Sequence, residues 1–190
     1  MRPEQVKAAV GADPTGLLVR PEGDFFATSA GAVQSLLKVE RFPGRVWEAA
    51  CGNGAISRVL ETEPEITLVI SSDLYNRGYG SVGHDFLHDP PMLEFDHVIT
   101  NPPFNAAEAF AQRALAITSG KVALFARLAW LEGGRRYRSL WQPHPPARVW
   151  VFSSRVPLAR NGGAEQTGLI CFAWFVWSKD HVGPPQLGWL

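Results

Sequence analysis

The sequence predicts an α/β fold built on a mostly parallel sheet. Short apolar or β-branched runs alternate with segments whose apolar residues recur at helical spacing. Gly and Pro punctuate the junctions, as at Phe42-Pro43-Gly44 and Cys51-Gly52-Asn53-Gly54. The last two apolar runs are separated only by a polar loop, so they are expected to pair as an antiparallel hairpin.

Residues 1–24 are rich in Pro, Gly and charge, and a short helix or irregular arm is expected there. Thr28 or Ser29 is the candidate N-cap of a helix that carries Ala32, Leu36 and Leu37 on one face and ends near Glu40. Residues 45–50 form a first strand. Residues 55–63, with Ile56, Val59 and Leu60 at helical spacing, form a helix that Pro64 stops. The β-branched run 67–73 is a second strand ending on Asp73. Little regular structure is expected over 74–80, and 82–87 is a short third strand. Residues 96–100 are a buried fourth strand, 106–118 a helix with Phe110, Leu115 and Ile117 inward, and 121–128 a fifth strand. A basic helix over 132–141 is stopped by Pro143, Pro145 and Pro146. Residues 148–152 and 168–177 are the sixth and seventh strands, with a polar loop over 155–166, and Gly183-Pro184-Pro185 opens a tail. There is no internal repeat. A single domain over 1–190 is expected, with its core at about 25–180.

Composition narrows the class. No run approaches the roughly 18 uncharged apolar residues of a membrane span, and the N-terminus lacks the apolar stretch of a secretory signal. The only cysteines are Cys51 and Cys171, and neither belongs to a CxxC pair. Neither a disulfide framework nor a cysteine metal site is indicated, so no metal is expected and a reducing cytoplasm is the expected compartment. Overall charge is zero but unevenly spread. Residues 1–100 hold 8 Lys and Arg against 14 Asp and Glu, whereas 101–160 hold 9 against 2. A basic second half fits a polyanion approaching one side.

The chemistry centres on Asn101-Pro102-Pro103-Phe104, which ends the fourth strand. Two prolines cannot donate to a sheet ladder and hold the backbone stiff. Asn101 offers a side-chain oxygen, Pro102 a carbonyl and Phe104 a flat ring. Two acceptors beside an aromatic platform suit a planar substrate that carries an NH2 group. The bland alternative is a plain strand-ending turn.

Upstream, the loop from Glu48 to Gly54 joins the first strand to the first helix, where α/β sheets bind nucleotide cofactors. It lacks GxGxxG and the Lys-Ser/Thr of a P-loop, and the acidic Glu48 disfavours a phosphate. Gly52 and Gly54 let the backbone pass close to a ligand. Asp73, 19 residues after Gly54, suits a carboxylate that accepts ribose hydroxyls. Asp85 and Phe86 offer an acceptor and a ring for a base. Singly, each has a bland alternative as a turn or a cap. Together they fall at the expected carboxyl ends of successive strands.

With these residues in place, the chain resembles the class I S-adenosylmethionine-dependent methyltransferases. It is most similar to amino-methyltransferases of the phage and prophage N6-adenine DNA type. Glu48 to Gly54 matches that family's first motif, Asp73 its second, Asp85-Phe86 its third and Asn101 to Phe104 its (D/N/S)PP(Y/F/W) motif. Phe26-Ala27-Thr28-Ser29 resembles its F/Y-x-T-P motif, with Ser29 in place of proline. The resemblance implies a Rossmann-like, seven-stranded sheet with an antiparallel C-terminal strand. It implies S-adenosylmethionine held by Phe26, Thr28, Glu48, Ala50, Cys51, Gly52, Asn53, Gly54, Asp73, Leu74, Asp85, Phe86 and Asn101. It implies transfer to an exocyclic amine, with adenine N6 in DNA the first choice and Asn101, Pro102, Pro103 and Phe104 as the catalytic set, Asn101 and Pro102 accepting the amine hydrogens and Phe104 stacking on the base. Arg127, Arg135, Arg136 and Arg138 are the expected phosphate contacts. The chain departs from the family in having no segment long enough for a target-recognition domain. RNA amines, protein glutamine and a non-catalytic cofactor-binding subunit stay open as alternatives.

Overall fold

The computed structural model describes residues 25–160, 165–167 and 170–190. The expected N-terminal arm, the middle of the 155–166 loop and the start of the 168–177 strand lie outside them. The main sheet is laid down by β2 (Gly44–Glu48), β3 (Ile66–Asp73), β4 (Ser81–Val82), β5 (His97–Thr100), β6 (Lys121–Arg127), β7 (Arg148–Val151), β10 (Phe172–Ser178) and β11 (Gln186–Trp189). Its order is β11-β7-β10-β6-β5-β2-β3-β4. All neighbours are parallel except β10, which runs antiparallel between β6 and β7. A separate three-stranded sheet joins β1 (Phe26–Thr28) to β8 (Pro157–Arg160) and β9 (Glu165–Thr167).

Period-2 patterning explains how the sheet buries both faces. In β6, Val122, Leu124 and Ala126 join one core and Ala123 and Phe125 the other. The first core takes Phe110, Ala111 and Ala114 from α3 (Ala107–Ile117) and Trp130, Leu140 and Trp141 from beyond β6. The second takes Ala32, Val33 and Leu36 from α1 (Ala30–Val39) and Val59 and Leu60 from α2 (Ser57–Leu60).

The main sheet therefore has eight strands among the described residues rather than seven, and the details differ from expectation for identifiable reasons. The third strand is only Ser81–Val82, because Gly83 takes a positive φ of 79° and the Asp85 carboxylate then closes a turn on the Leu87 N–H at 2.9 Å. The expected tail instead adds β11 beside β7. Gly188 makes that pairing possible, since a Cβ there would lie 2.2 Å from the Trp150 ring. The polar loop contains β8 and β9, which pair with β1 and with each other. The basic helix is a short α4 (Gly134–Arg136) that widens into a π-helical turn over Tyr137–Trp141. Ser29 sits at the N-cap of α1 without a side-chain cap bond, and the Thr28 hydroxyl is engaged elsewhere. No helix among the described residues is long and apolar enough to cross a membrane.

Candidate active site

The carboxyl ends of β2, β3 and β5 bring the glycine loop, Asp73 and Asn101 to one edge of the sheet. Gly52 (φ 55°) and Gly54 (φ 81°) both take the left-handed conformation that disfavours a side chain. Both are also roofed by rings. A Cβ on Gly52 would lie 3.2 Å from the Phe25 ring, and one on Gly54 would lie 2.4 Å from the Tyr79 ring. Arg77 stacks on Phe25, its Cζ 4.4 Å from the ring centroid. The Arg58 guanidinium lies over Tyr79 at 4.8 Å. Phe25, Arg77 and Tyr79 were not among the expected site residues. The signal for Tyr79 is its place between Gly78 and Gly80, both at positive φ, which lets the chain turn its ring back onto the loop.

Asp73 Oδ2 accepts the Gly52 N–H at 2.9 Å and Oδ1 accepts the Tyr75 N–H at 2.8 Å. The carboxylate thus ties the end of β3 to the loop and retains lone pairs for a hydroxyl. Leu74 beside it is half exposed. Cys51 is buried, its thiol donates to the Tyr79 carbonyl at 3.5 Å, and burial pushes that thiol up to about 12. Ala50 is partly buried against the core. The Asn53 side-chain oxygen is buried with no hydrogen-bond partner among the described residues.

Two expected cofactor contacts are turned inward. Glu48 is 1% exposed, and its Oε2 accepts the Ser57 N–H at 2.8 Å and the Ser57 hydroxyl. Burial pushes its carboxyl up to about 8 against those hydrogen bonds. It anchors the start of α2 beneath the loop. Phe86 is 2% exposed, with its ring 5.1 Å from Trp47 and 4.9 Å from Phe110, and so is core. Asp85 stays accessible. Its Oδ2 lies 2.9 Å from His88 Nδ1, and that bond leads in holding its carboxyl below the ordinary value.

At the end of β5, Asn101 is oriented by β1. Its Nδ2 donates to the Phe26 carbonyl at 2.8 Å and to Thr28 Oγ1 at 3.0 Å. A carbonyl oxygen can only accept, so the nitrogen must face β1 and Oδ1 must face away. Pro102 is buried and Pro103 exposed, and the Pro103 carbonyl accepts the Ala106 N–H at 2.9 Å as α3 begins. The Phe104 ring lies 5.8 Å from Phe26, nearly parallel, and 6.1 Å from Phe172.

The expected arginines divide into two sets. Arg127 ends β6 with its Cζ 4.5 Å from the Phe104 centroid. Arg135 and Arg136 turn to Glu108, at 3.0 Å and 3.9 Å, and Arg136 Nη1 also donates to the Trp130 and Glu132 carbonyls. Arg138 is exposed.

No protein-family model and no curated protein sequence matches the chain. Solved structures do. One is the methyltransferase subunit of a type I restriction-modification system from Streptococcus thermophilus, with 14% identity, TM-score 0.53, and coverage of 80% of this chain and 43% of that one. Another is a dimethyladenosine transferase from Plasmodium falciparum, with 13% identity, TM-score 0.53, and coverage of 80% of this chain and 62% of that one. The fold is one that methyltransferases use. This chain spans 43% and 62% of those two chains, less than two thirds of either, and at such identity the likeness speaks for the fold alone.

Proposed function

We propose that this chain is an S-adenosylmethionine-dependent methyltransferase acting on an exocyclic amine, with adenine N6 in DNA as the acceptor. The observation that carries this reading is the fixed Asn101 amide, whose oxygen faces away from β1 at the carboxyl end of β5. An exocyclic amine is a poor nucleophile because its lone pair is delocalised into the ring. Asn101 Oδ1 and the Pro102 carbonyl would accept its two hydrogens, draw the nitrogen toward tetrahedral geometry and localise that lone pair. The nitrogen gains a methyl group and releases one proton to water, so no strong base is needed. Phe104 would hold the extruded base by stacking, with the Arg127 charge nearby for a phosphate.

The residues present fit the methyl donor. The unpartnered Asn53 oxygen and the Asp73 carboxylate suit a polar cationic ligand better than a pyrophosphate. Bound S-adenosylmethionine would supply an electrophilic methyl group. Asp73 would take the ribose hydroxyls, and Leu74 and Asp85 are further candidates along the same edge. The two similar structures, one a restriction-modification methyltransferase subunit and the other a dimethyladenosine transferase, support an amine acceptor in nucleic acid.

The deciding experiment incubates the protein and labelled donor with unmodified DNA, RNA and protein, then identifies the labelled nucleoside or residue by mass spectrometry. N6-methyladenine in DNA is expected. Label confined to protein, or 5-methylcytosine, overturns the reading. Label on RNA amines overturns the DNA acceptor and keeps the amine chemistry.

A further inference from the structure

We infer that β1 belongs to the acceptor side of the site, and that Thr28 and Phe26 are positioning residues for Asn101 and Phe104 rather than contacts to the methyl donor. The inference rests on the amine-methyltransferase reading and reassigns two residues that the sequence resemblance gives to the cofactor.

Three contacts place β1 there. The Phe26 carbonyl and Thr28 Oγ1 accept both hydrogens of the Asn101 amide, at 2.8 Å and 3.0 Å. The Phe26 ring lies nearly parallel to Phe104, with centroids 5.8 Å apart and planes at 22°. Thr28 is only 3% exposed, and its hydroxyl oxygen accepts the Asn101 bond. One three-residue strand therefore sets both the amide that would polarise an amine and the ring that would hold its base.

The chemistry needs this. A primary amide has one accepting end and one donating end, and they interchange by rotation about a single bond. With Nδ2 toward the substrate, Asn101 would present donors to an amine that itself has donors to place. Two acceptors on one side of the amide make the productive orientation the only satisfied one. The strand is itself held from outside. Phe26, Ala27 and Thr28 pair antiparallel with Arg160, Ala159 and Leu158 of β8, which in turn pairs with β9. The small sheet thus frames the Asn101 amide, with β8 and β9 contributed by the part of the chain that runs from β7 to β10.

The test compares Thr28→Val, which keeps a β-branched residue in the strand but removes the acceptor, with Thr28→Ser, which keeps the acceptor. Three quantities are read: hydrogen exchange of the Asn101 side-chain amide by 15N NMR, donor affinity by calorimetry, and kcat for methyl transfer. The expected result is a protected Asn101 amide in the wild type and a loosened one in T28V. Donor affinity should be unchanged within about twofold, and kcat should fall by roughly tenfold to a hundredfold, the scale of a misplaced reacting group. T28S should restore both protection and kcat. In an Asn101→Ala background, T28V should have no further effect on kcat, because Thr28 acts through Asn101. A weakened donor affinity with kcat intact would make Thr28 a donor contact and overturn the inference, as would an Asn101 amide exchanging freely in the wild type. Should T28V fail to fold, T28S and the wild-type exchange still decide the orientation. A protected amide in a protein that methylates no amine anywhere would instead sink the proposed function and leave the orientation intact.

Discussion

At the scale of single residues, the site depends on which end of each polar side chain is already occupied. On the proposed function, Asn101→Ala is expected to leave donor affinity nearly intact while turnover collapses, because it removes an acceptor needed only at the amine that would react. Calorimetry beside steady-state rates checks this. Asp73→Ala should weaken donor binding by roughly 1–3 kcal/mol, the range for hydrogen bonds to a charged group, whereas NAD should not bind at all. Glu48 gives a pH prediction. Its carboxyl rests near 8 in the folded chain against an ordinary value of 4.5, mainly through burial. The folded state therefore holds a proton that the unfolded state has released. This contribution to stability is complete below about pH 4.5 and is lost as pH rises toward about 8, with a slope of up to ~1.4 kcal/mol per pH unit. Urea midpoints should fall across that window in the wild type and stay flatter in Glu48→Gln, and parallel curves would refute the account. The places of Asn101 and Asp73 at strand ends were legible in the sequence because each closes a clear apolar run, and that of the two glycines because they fall in the loop after one. The inward turn of Glu48 was not. It depends on Ser57, nine positions on, bending back beneath the loop, and no spacing rule announces that.

At the scale of elements, the basic segment beyond β6 is less uniform than its composition implies. Arg136 donates to two backbone carbonyls and lies beside Glu108, so it staples α4 to the turn before it. Arg136→Ala should cost about 1–3 kcal/mol of folding stability in urea titrations. Arg135, whose side chain is 82% exposed, and exposed Arg138 remain available to a polyanion despite the Arg135 contact to Glu108, since such surface pairs are worth little. Replacing those two should flatten the salt dependence of DNA binding nearly uniformly across sequences. An unchanged slope would remove this segment from the interface. The strands β8, β9 and β11 escaped the sequence reading for a shared reason. Their residues are polar or interrupted by Gly and Pro, and their pairing is decided by distant partners, β1 and β7.

At the scale of the whole molecule, the edge opposite the site is fastened by Glu40. It is 3% exposed and accepts from Lys121, at 2.7 Å, and from Arg148 and the Trp150 indole, so the end of α1 is locked to β6 and β7. Burial would raise its carboxyl, but these donors together hold it below the ordinary value. Glu40→Ala should cost roughly 3 kcal/mol, the lower end for breaking a buried pair, as Lys121 and Arg148 keep about a fifth of their side-chain surface in water. A shift in the thermal midpoint within error of zero would show that the cluster is ornamental. The alternation of strands and helices was enough to foresee the parallel sheet, and the final apolar run to foresee the antiparallel pairing. The place of β10 within the sheet carries a consequence for biosynthesis. Strands β6 and β7 are finished on the ribosome before the strand that must lie between them has been made. Until Phe172 to Ser178 emerge, two apolar edges stand open beside each other, each a template for a neighbouring nascent chain. The polypeptide should thus depend on shielding by chaperones until its last apolar run is translated. Messages truncated before that run should yield aggregates rather than a smaller working domain.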